Sequence, residues 1–329
     1  MENYRDNDAG QMTTGSNRLF ANIDKDLGFS FLSAAGSEFT DLLNRELHRF
    51  SNPWIQEEKV VFRGVRNDEA EFNPVKPLEE SDRIVILVGD YDSPDRELEK
   101  ALACQRSALV ACDGRTANEF LDKHRKNCAI KYLASQRHLL EDEVYDWVKT
   151  QQDIMPLGKI RSGFRELEPE LRETECCFFN LSAIRHSDAP GKRGSDISGL
   201  TSEEACRLLR YFGVGDYSRV LWIKGFEADS FSAPLTANLI AQLVWYFLNG
   251  AVHRPGDYPL SSENLIEYTV SSHENLPDIR FYKSRFSGRW WFSIGADFNL
   301  LEVKPCSYED YLLMCEGEIS DRIALAVDA

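Results

Sequence analysis

The sequence lacks the short motifs that usually identify a catalytic or metal-binding site. Its six histidines form no HxH or HxxxH pair, its eight cysteines form no CxxC pair, and no GxSxG segment occurs. Histidine is the commonest ligand of transition metals, and paired cysteines are typical of zinc sites. These absences argue against a zinc site, a disulfide framework and a serine nucleophile. The cysteines are instead predicted to be reduced thiols in the core.

Positive charge and long apolar runs are also scarce. The chain has 38 basic and 54 acidic residues, a formal net charge of -16. Phosphate backbones and anionic lipids repel such a chain, so neither nucleic acid nor a membrane is an expected partner. No apolar stretch reaches about 18 residues, and the N-terminus has no apolar signal core. The protein is predicted to be cytoplasmic.

Short apolar runs alternate with amphipathic helical patterns over most of the chain. Residues 1–24 are polar and aperiodic, and are predicted to be a flexible lead-in. Residues 25–254 are predicted to form one α/β domain, and residues 255–329 a C-terminal extension packed on it. With 329 residues, 43% of them hydrophobic, the chain can bury a core of this size.

The alternation predicts βαβ units and a three-layer α/β/α fold around a mainly parallel sheet of roughly eight strands. Runs such as Ile84–Val88 and Val220–Ile223 are continuously apolar, as expected of strands covered on both faces. The predicted strands are Gly28–Ser33, Lys59–Gly64, Arg83–Val88, Ala108–Cys112, Cys128–Leu133, Leu157–Ile160 (weak), Cys176–Leu181 and Arg219–Phe226.

Three helices carry recognisable signals. Ser37 is a candidate N-cap for an apolar stripe that ends near Phe50. Thr201-Ser202-Glu203-Glu204 reads as a capping box that opens a helix ending near Gly213. A long apolar helix is predicted from Pro234 to Leu248.

The pattern of the sequence changes after about residue 255. The runs Ile279–Lys283 and Arg289–Ile294 flank Ser287-Gly288 and predict a β-hairpin. A short helix from Tyr308 to Cys315 is predicted to follow. The Trp290-Trp291 pair in the hairpin could form a binding platform, but packing is the favoured interpretation.

Polar side chains follow four of the predicted strands, at their carboxyl ends. Open parallel sheets bind ligands at this edge, so the pattern could indicate a site for a polar ligand or a metal. Strand ends are commonly polar, however, and position alone favours that simpler explanation. The residues concerned are Asp90, Asp92, Asp113, Arg115, Asn180, Ser182 and Glu227.

From Asn180 to Gly250 the sequence resembles the arginase and formimidoylglutamase (ureohydrolase) family. That family has a strand of the form SxDxDxxDP, an AP/GT loop and a GGLT segment that opens a capped helix. Here the corresponding segments are Phe178–Ser182, Asp188–Gly191 and Ser198–Ala205, while Glu227 matches a glutamate that receives the cationic end of the substrate. The resemblance covers roughly Phe29 to Cys315, and it is specific after Asn180 and faint before it.

The resemblance also implies where two manganese ions would lie, because the family holds them with GGDH, DAHxD and SxDxDxxDP motifs. Tyr91 replaces the histidine of the first motif, and Arg115 and Ala117 replace two ligands of the second. Asn180 and Ser182 replace the aspartates of the third. Only Asp113 of the six ligands is kept. The former metal-site positions are therefore Tyr91, Asp113, Arg115, Ala117, Asn180 and Ser182.

Three functional hypotheses follow from the resemblance. The first is a catalytically inactive, metal-free pseudoenzyme that serves as a binding or assembly module, with Arg115 paired to Asp113 in the former metal position. The second is a metal-dependent hydrolase of a linear amidine or guanidino C–N bond, with manganese or another hard ion on relocated ligands. Those ligands would be Asp90, Asp92, Asp113 and Glu227.

The third hypothesis is a metal-free protein that binds a small cationic or amidine ligand through Glu227. Family members often form trimers or hexamers, so a homo-oligomer is expected by analogy. No cofactor is expected under the first and third hypotheses.

Overall fold

The computed structural model describes residues 28–51, 83–89, 106–112, 116, 130–150, 154–229, 231–259, 262–270, 278–295 and 303–327. Seven strands of this part of the chain form one sheet: β1 (Gly28–Ser33), β2 (Arg83–Val88), β3 (Ser107–Val110), β4 (Ile130–Ser135), β5 (Ile154–Pro156), β6 (Cys176–Asn180) and β7 (Val220–Lys224). The strand order is β1-β2-β7-β6-β3-β4-β5, and every neighbouring pair is parallel. The predicted parallel sheet is confirmed.

Both faces of this sheet are covered. Ile84, Ile86 and Val88 point into the main core on one face, and the alternate side chains Val85 and Leu87 are fully buried as well. Strands buried on both faces need apolar residues at consecutive positions, which explains the run in β2. The first six α-helices in the described part of the chain are α1 (Ser37–Arg49), α2 (Asp142–Thr150), α3 (Leu157–Ser162), α4 (Leu167–Leu171), α5 (Ser202–Val214) and α6 (Ala233–Val252).

Helix α6 is the central helix of the main core and packs against α5 and α1. Two glycines allow its close approach to α5: a Cβ atom on Gly213 would lie 2.2 Å from the carbonyl oxygen of Phe247, and one on Gly250 would lie 2.3 Å from that of Arg210. By length and composition α6 could also cross a membrane, although 61% of its most apolar window is buried inside the protein. A buried core helix accounts for that composition.

Helix α5 begins as its sequence indicates. The amide of Glu204 donates to the Thr201 hydroxyl at 3.1 Å, and the amide of Thr201 donates to the Glu204 carboxylate at 2.8 Å. The predicted capping box is therefore confirmed. For α1 the prediction was wrong by one residue, because Gly36 with φ of 82° occupies the N-cap position and Ser37 is the first helical residue.

The predicted hairpin is confirmed as the centre of a larger antiparallel sheet with the order β11-β10-β9-β8. Sequence reasoning missed its outer strands, because β8 is an edge strand with an exposed face and β11 is three residues long. It also missed a last helix. These elements are β8 (Leu265–Val270), β9 (Ile279–Ser284), β10 (Trp290–Ile294), β11 (Lys304–Cys306), α7 (Tyr308–Cys315) and α8 (Asp321–Val327).

A buried charged cluster joins this second sheet to the main domain. The Arg172 guanidinium, next to α4, donates to the carbonyl oxygen of Trp290 at 2.7 Å and lies 4.8 Å from the Trp291 ring centre. Arg289 forms an ion pair with Asp216 at 3.1 Å. Both tryptophans are buried, with Trp291 0% exposed, so packing rather than a binding platform explains the pair.

One strand prediction was wrong, and another lies outside the described residues. Leu157–Ile160 was predicted as a weak strand, but these residues open helix α3, and the strand β5 comes just before them. Two buried positions three residues apart, Leu157 and Ile160, fit a helical turn as well as a strand. The predicted strand Lys59–Gly64 lies outside the described residues, so the described sheet has seven strands where roughly eight were predicted.

Candidate binding site at the carboxyl edge of the sheet

The four central strands end level with one another. Val88 and Phe179 are both in register with Ile223, and Phe179 is also in register with Val110. The carboxyl ends of these four strands therefore lie along one edge of the sheet. Of the predicted site residues, Asn180, Ser182 and Glu227 belong to the described part of the chain, and Asp90, Tyr91, Asp92, Asp113, Arg115 and Ala117 lie outside it.

Asn180 ends β6 and connects two neighbouring strand ends. Its side chain is 8% exposed. Its Oδ1 atom accepts a hydrogen bond from the amide of Ser182 at 2.8 Å, and its Nδ2 atom donates to the Thr116 hydroxyl at 3.4 Å. An aspartate here could accept hydrogen bonds from both the Ser182 amide and the Thr116 hydroxyl, so a carboxylate could also make these contacts. What distinguishes Asn180 is that it brings no negative charge to the end of β6.

Gly225, just after β7, makes room for the Asn180 side chain. Its φ is +83°, and a Cβ atom at this position would lie 2.1 Å from Asn180 Oδ1. Only glycine combines the left-handed backbone with this close approach.

We expect Gly225→Ala to destabilise the protein by more than about 2 kcal/mol, because it adds a steric clash to the cost of a positive φ. Gly288→Ala is the matched control, since Gly288 has φ +74° and no atom within 4 Å of its Cβ position. Urea denaturation of both variants isolates the clash. Equal losses of stability would show that Asn180 does not pack on Gly225.

Ser182 lies in the short turn after β6 and has an unusual environment. Its side chain is 5% exposed, and its hydroxyl has no hydrogen-bond partner among the described residues. Its carbonyl oxygen accepts a hydrogen bond from the Lys192 ammonium at 3.3 Å, and the carbonyl of Ile184 accepts another at 2.6 Å. Lys192 itself is only 5% exposed. A buried ammonium thus lies next to the end of β6.

Sequence reasoning missed Lys192. It lies directly after the Ala189-Pro190-Gly191 segment and before Arg193, in a polar stretch of sequence that gives no sign of burial. A buried lysine is rare enough to mark a position with a specific role. Its ammonium donates to the backbone carbonyls of Ser182 and Ile184, and acceptors of this kind leave no pattern in the sequence.

Gln136 was missed as well. It follows β4, and its amide donates to the carbonyl oxygen of Cys112, the last described residue of the segment after β3. Its side chain is 9% exposed, and its Nε2 atom has no hydrogen-bond partner within the described part of the chain. The strands on either side of β3, β6 and β4, are therefore each followed by a buried polar side-chain atom without a hydrogen-bond partner among the described contacts.

Asp188 shapes the loop that follows β6. Its carboxylate accepts hydrogen bonds from Arg185 Nε at 2.6 Å and from the amide of Ser202 at 2.9 Å, which ties the loop to the start of α5. Burial alone would raise the pKa of Asp188, but the hydrogen bonds from Arg185, Ser202 and Ser187 hold that pKa below its usual value. Asp188 therefore positions the loop.

Glu227 lies at the outer rim of the same edge. Its amide donates to the carbonyl oxygen of Gly191 at 3.0 Å, so the segment that follows β7 lies beside the loop that carries Lys192. Its side chain is exposed. The structure thus brings Glu227 near the ends of β6 and β7 without burying it, and its role in binding a cationic ligand stays a prediction.

The described residues fit a pair of manganese ions poorly. Such ions prefer carboxylate and imidazole ligands, whereas the end of β6 offers an amide oxygen already engaged by Ser182 and a neutral hydroxyl. The Lys192 ammonium places a positive charge beside them. Within the described residues, no group of three or more His, Cys, Asp or Glu side chains could hold a metal ion.

Comparison with known proteins supports the fold. No protein-family model matches the sequence, and no curated protein matches it. Among solved structures, Trypanosoma cruzi formiminoglutamase with Mn²⁺ is 14% identical, with a TM-score of 0.55, and the match covers 72% of this chain and 97% of that chain. 

Two further solved structures have a similar fold. Bacillus subtilis formimidoylglutamase is 13% identical with a TM-score of 0.54, covering 70% of this chain and 89% of that one. Arginase from Bacillus cereus is 12% identical with a TM-score of 0.51, covering 68% of this chain and 98% of that one. The chain has an arginase- and formimidoylglutamase-like fold, as its sequence predicts, and identities this low show the fold alone.

Proposed function

We propose that this protein is a metal-free pseudoenzyme with an arginase-like fold, which serves as a binding or assembly module. The observation that carries the proposal is the chemistry at the end of β6. By the sequence resemblance, Asn180 and Ser182 stand where the family has metal-ligating aspartates, and the Lys192 ammonium contacts the Ser182 carbonyl oxygen. The family reaction uses metal ions to generate a hydroxide at neutral pH, and this end of the site supplies no carboxylate for them.

The direct test is a turnover assay with manganese supplied. Purified protein is incubated with manganese and with either arginine or formimidoyl-glutamate, and the release of urea or formamide is measured. Bacillus subtilis formimidoylglutamase serves as the active control. We expect no release above the protein-free background. Turnover that depends on manganese would overturn the proposal.

A second candidate function rests on carboxylates that follow other strands. Asp90, Asp92 and Asp113 could hold one hard divalent ion with Glu227, because such ions take oxygen ligands. In that case Asp113→Ala should abolish both metal binding and amidine hydrolysis. Activity that survives this substitution would exclude relocated ligands.

The proposed role as an assembly module implies that the chain self-associates. If the fold is kept as an assembly module, the chain should self-associate through its arginase-like surface, as its sequence resemblance implies. Light scattering after size-exclusion chromatography is expected to give a trimer or a larger closed oligomer. If the protein stays monomeric at every accessible concentration, the assembly role is excluded and ligand binding is the role that the proposal keeps.

A further inference from the structure

We propose that the groove between strand β5 and helices α7 and α8 binds a small zwitterion with an apolar side chain, which is the chemistry of a free apolar amino acid or a short apolar peptide. This groove is separate from the carboxyl edge of the sheet, because none of the described residues that line it is Asn180, Ser182 or Glu227. The inference therefore goes beyond the proposed function and does not depend on it.

The groove lies where the last two helices meet the edge strand of the main sheet. Its lining includes Ile154 and Met155 of β5, Leu313 of α7 and Leu325 of α8. Its volume is about 810 Å³. Small-molecule sites usually measure about 300–1,000 Å³ and are often found between packed units of structure. The groove is thus large enough for a ligand of this kind.

Most of the charged side chains in the groove satisfy one another. Arg322 pairs with Glu170 at 2.9 Å and with Glu166 at 3.3 Å, and it also pairs with Asp310. Nine charged residues of the described chain line the groove, and seven of them form ion pairs within this set. The seven are Lys131, Lys159, Glu166, Glu170, Asp310, Asp321 and Arg322. These charges already have partners in the protein, so they do not require a ligand.

The other two charges have opposite signs. Lys304 begins β11, and Glu309 lies in the first turn of α7. Both side chains are exposed, and neither forms an ion pair with any described residue. The Lys304 ammonium can donate to a carboxylate of a ligand, and the Glu309 carboxylate can accept from its ammonium. Such charge-assisted hydrogen bonds are stronger than neutral ones.

Apolar side chains of the same groove are partly exposed. Ile319 is 40% exposed and Leu325 is 38% exposed, while Leu313 and Ile154 are half-buried. All four line the groove. Exposed apolar side chains that are grouped rather than scattered commonly mark a binding surface. An apolar side chain of a ligand would leave water together with them, which stabilises the complex.

A zwitterion with an apolar side chain uses both kinds of group. A simple cation would leave Lys304 without a partner, and a simple anion would leave Glu309 without one. Leucine and leucyl-leucine each carry one ammonium, one carboxylate and apolar side chains, and together they distinguish an amino acid from a peptide. N-acetyl-leucine lacks the ammonium and leucinamide lacks the carboxylate, so these two are the contrasting ligands.

The experiment is calorimetric titration of the full chain with leucine and, separately, with leucyl-leucine, at neutral pH and constant ionic strength. We expect saturable binding of at least one of them, and the tighter binder identifies the source of the ligand. The matching contrast ligands should bind at least about tenfold more weakly, because each loses a hydrogen bond between charged groups. Thermal shift should show stabilisation by the ligand that binds.

Variants of the two free charges test the site itself. Lys304→Met and Glu309→Gln should each weaken binding at least about tenfold. Both side chains are exposed, so the ligand-free variants should melt at the wild-type temperature, which separates binding from folding. Glu263→Gln is the matched control, because Glu263 is an exposed residue in the turn before β8 and does not line the groove. Its affinity should be unchanged.

Three results would overturn the inference. They are the absence of saturable binding by both leucine and leucyl-leucine, binding that both groove variants retain, and equal affinity for the contrast ligands. Manganese-dependent turnover would refute the proposed function and leave this inference untouched, so the two failures are distinguishable.

Discussion

Arg172→Met is expected to lower the free energy of unfolding by about 3–5 kcal/mol, because it leaves a largely buried carboxylate without its main partner. The Arg172 side chain is 1% exposed and forms an ion pair with Glu168 at 2.5 Å. It also donates to the carbonyl of Trp290 and packs on the Trp291 ring. The variant therefore removes contacts that hold the two sheets together. Urea denaturation measures the loss in the free energy of unfolding.

Arg137→Met is the control for this prediction. Arg137 also pairs with a carboxylate, that of Asp142, and its guanidinium lies 4.3 Å from the Tyr145 ring centre, but both partners of the ion pair are more than half exposed. Exposed pairs contribute about 1 kcal/mol or less. If both variants lost the same stability, burial would not be what makes the Arg172 cluster important.

The second large effect is expected at Glu170, which ties the C-terminal helix to the main domain. Its carboxylate accepts hydrogen bonds from Lys131 Nζ at 2.5 Å and from Arg322 Nε at 2.9 Å. Burial would raise the pKa of Glu170, but the two cations prevail and lower it from 4.5 to about 2. Arg322 also pairs with Glu166 and Asp310, so one arginine anchors α8 to three carboxylates.

The pH dependence follows from the sign of that shift. A carboxyl group whose pKa is lower in the folded state stabilises the fold above its unfolded pKa, and this contribution is lost as pH falls toward the folded pKa. For Glu170 the contribution is about 3 kcal/mol at neutral pH and about 1 kcal/mol at pH 3. The stability difference between wild type and Glu170→Gln should therefore shrink over this range.

Urea denaturation at a series of pH values measures that difference. Glu309→Gln provides the comparison, because Glu309 lies on the neighbouring helix α7, is exposed and forms no ion pair with any described residue. Its stability difference from wild type should stay small throughout. A Glu170→Gln difference that does not change between pH 7 and pH 3 would contradict the ion-pair account.

Local signals in the sequence predicted much of the fold. The Thr201–Glu204 capping box and the apolar run of β2 each depend on residues close in the chain, and both are found where predicted. The strand assigned to Leu157–Ile160 failed because a short apolar pair fits a helix and a strand equally well. Strands β8 and β11 were missed because one is half-exposed and the other is short.

The site was only partly predictable, for a different reason. The resemblance to the ureohydrolase pattern pointed to Asn180 and Ser182, and the structure places them at the expected edge. The partners of these residues come from distant segments: Thr116, Gly225 and Lys192 meet them only after the sheet has formed. The proposed pairing of Arg115 with Asp113 lies outside the described residues, and it stays a prediction.

We expect the carboxyl edge of this sheet not to hold a manganese pair. Electron paramagnetic resonance of free Mn²⁺ during a titration of the purified protein measures binding directly. We predict less than about 0.1 tightly bound ion per chain at neutral pH, since this end of the site offers an amide, a hydroxyl and an ammonium. Saturation at about two ions per chain would show that the edge holds a binuclear metal centre.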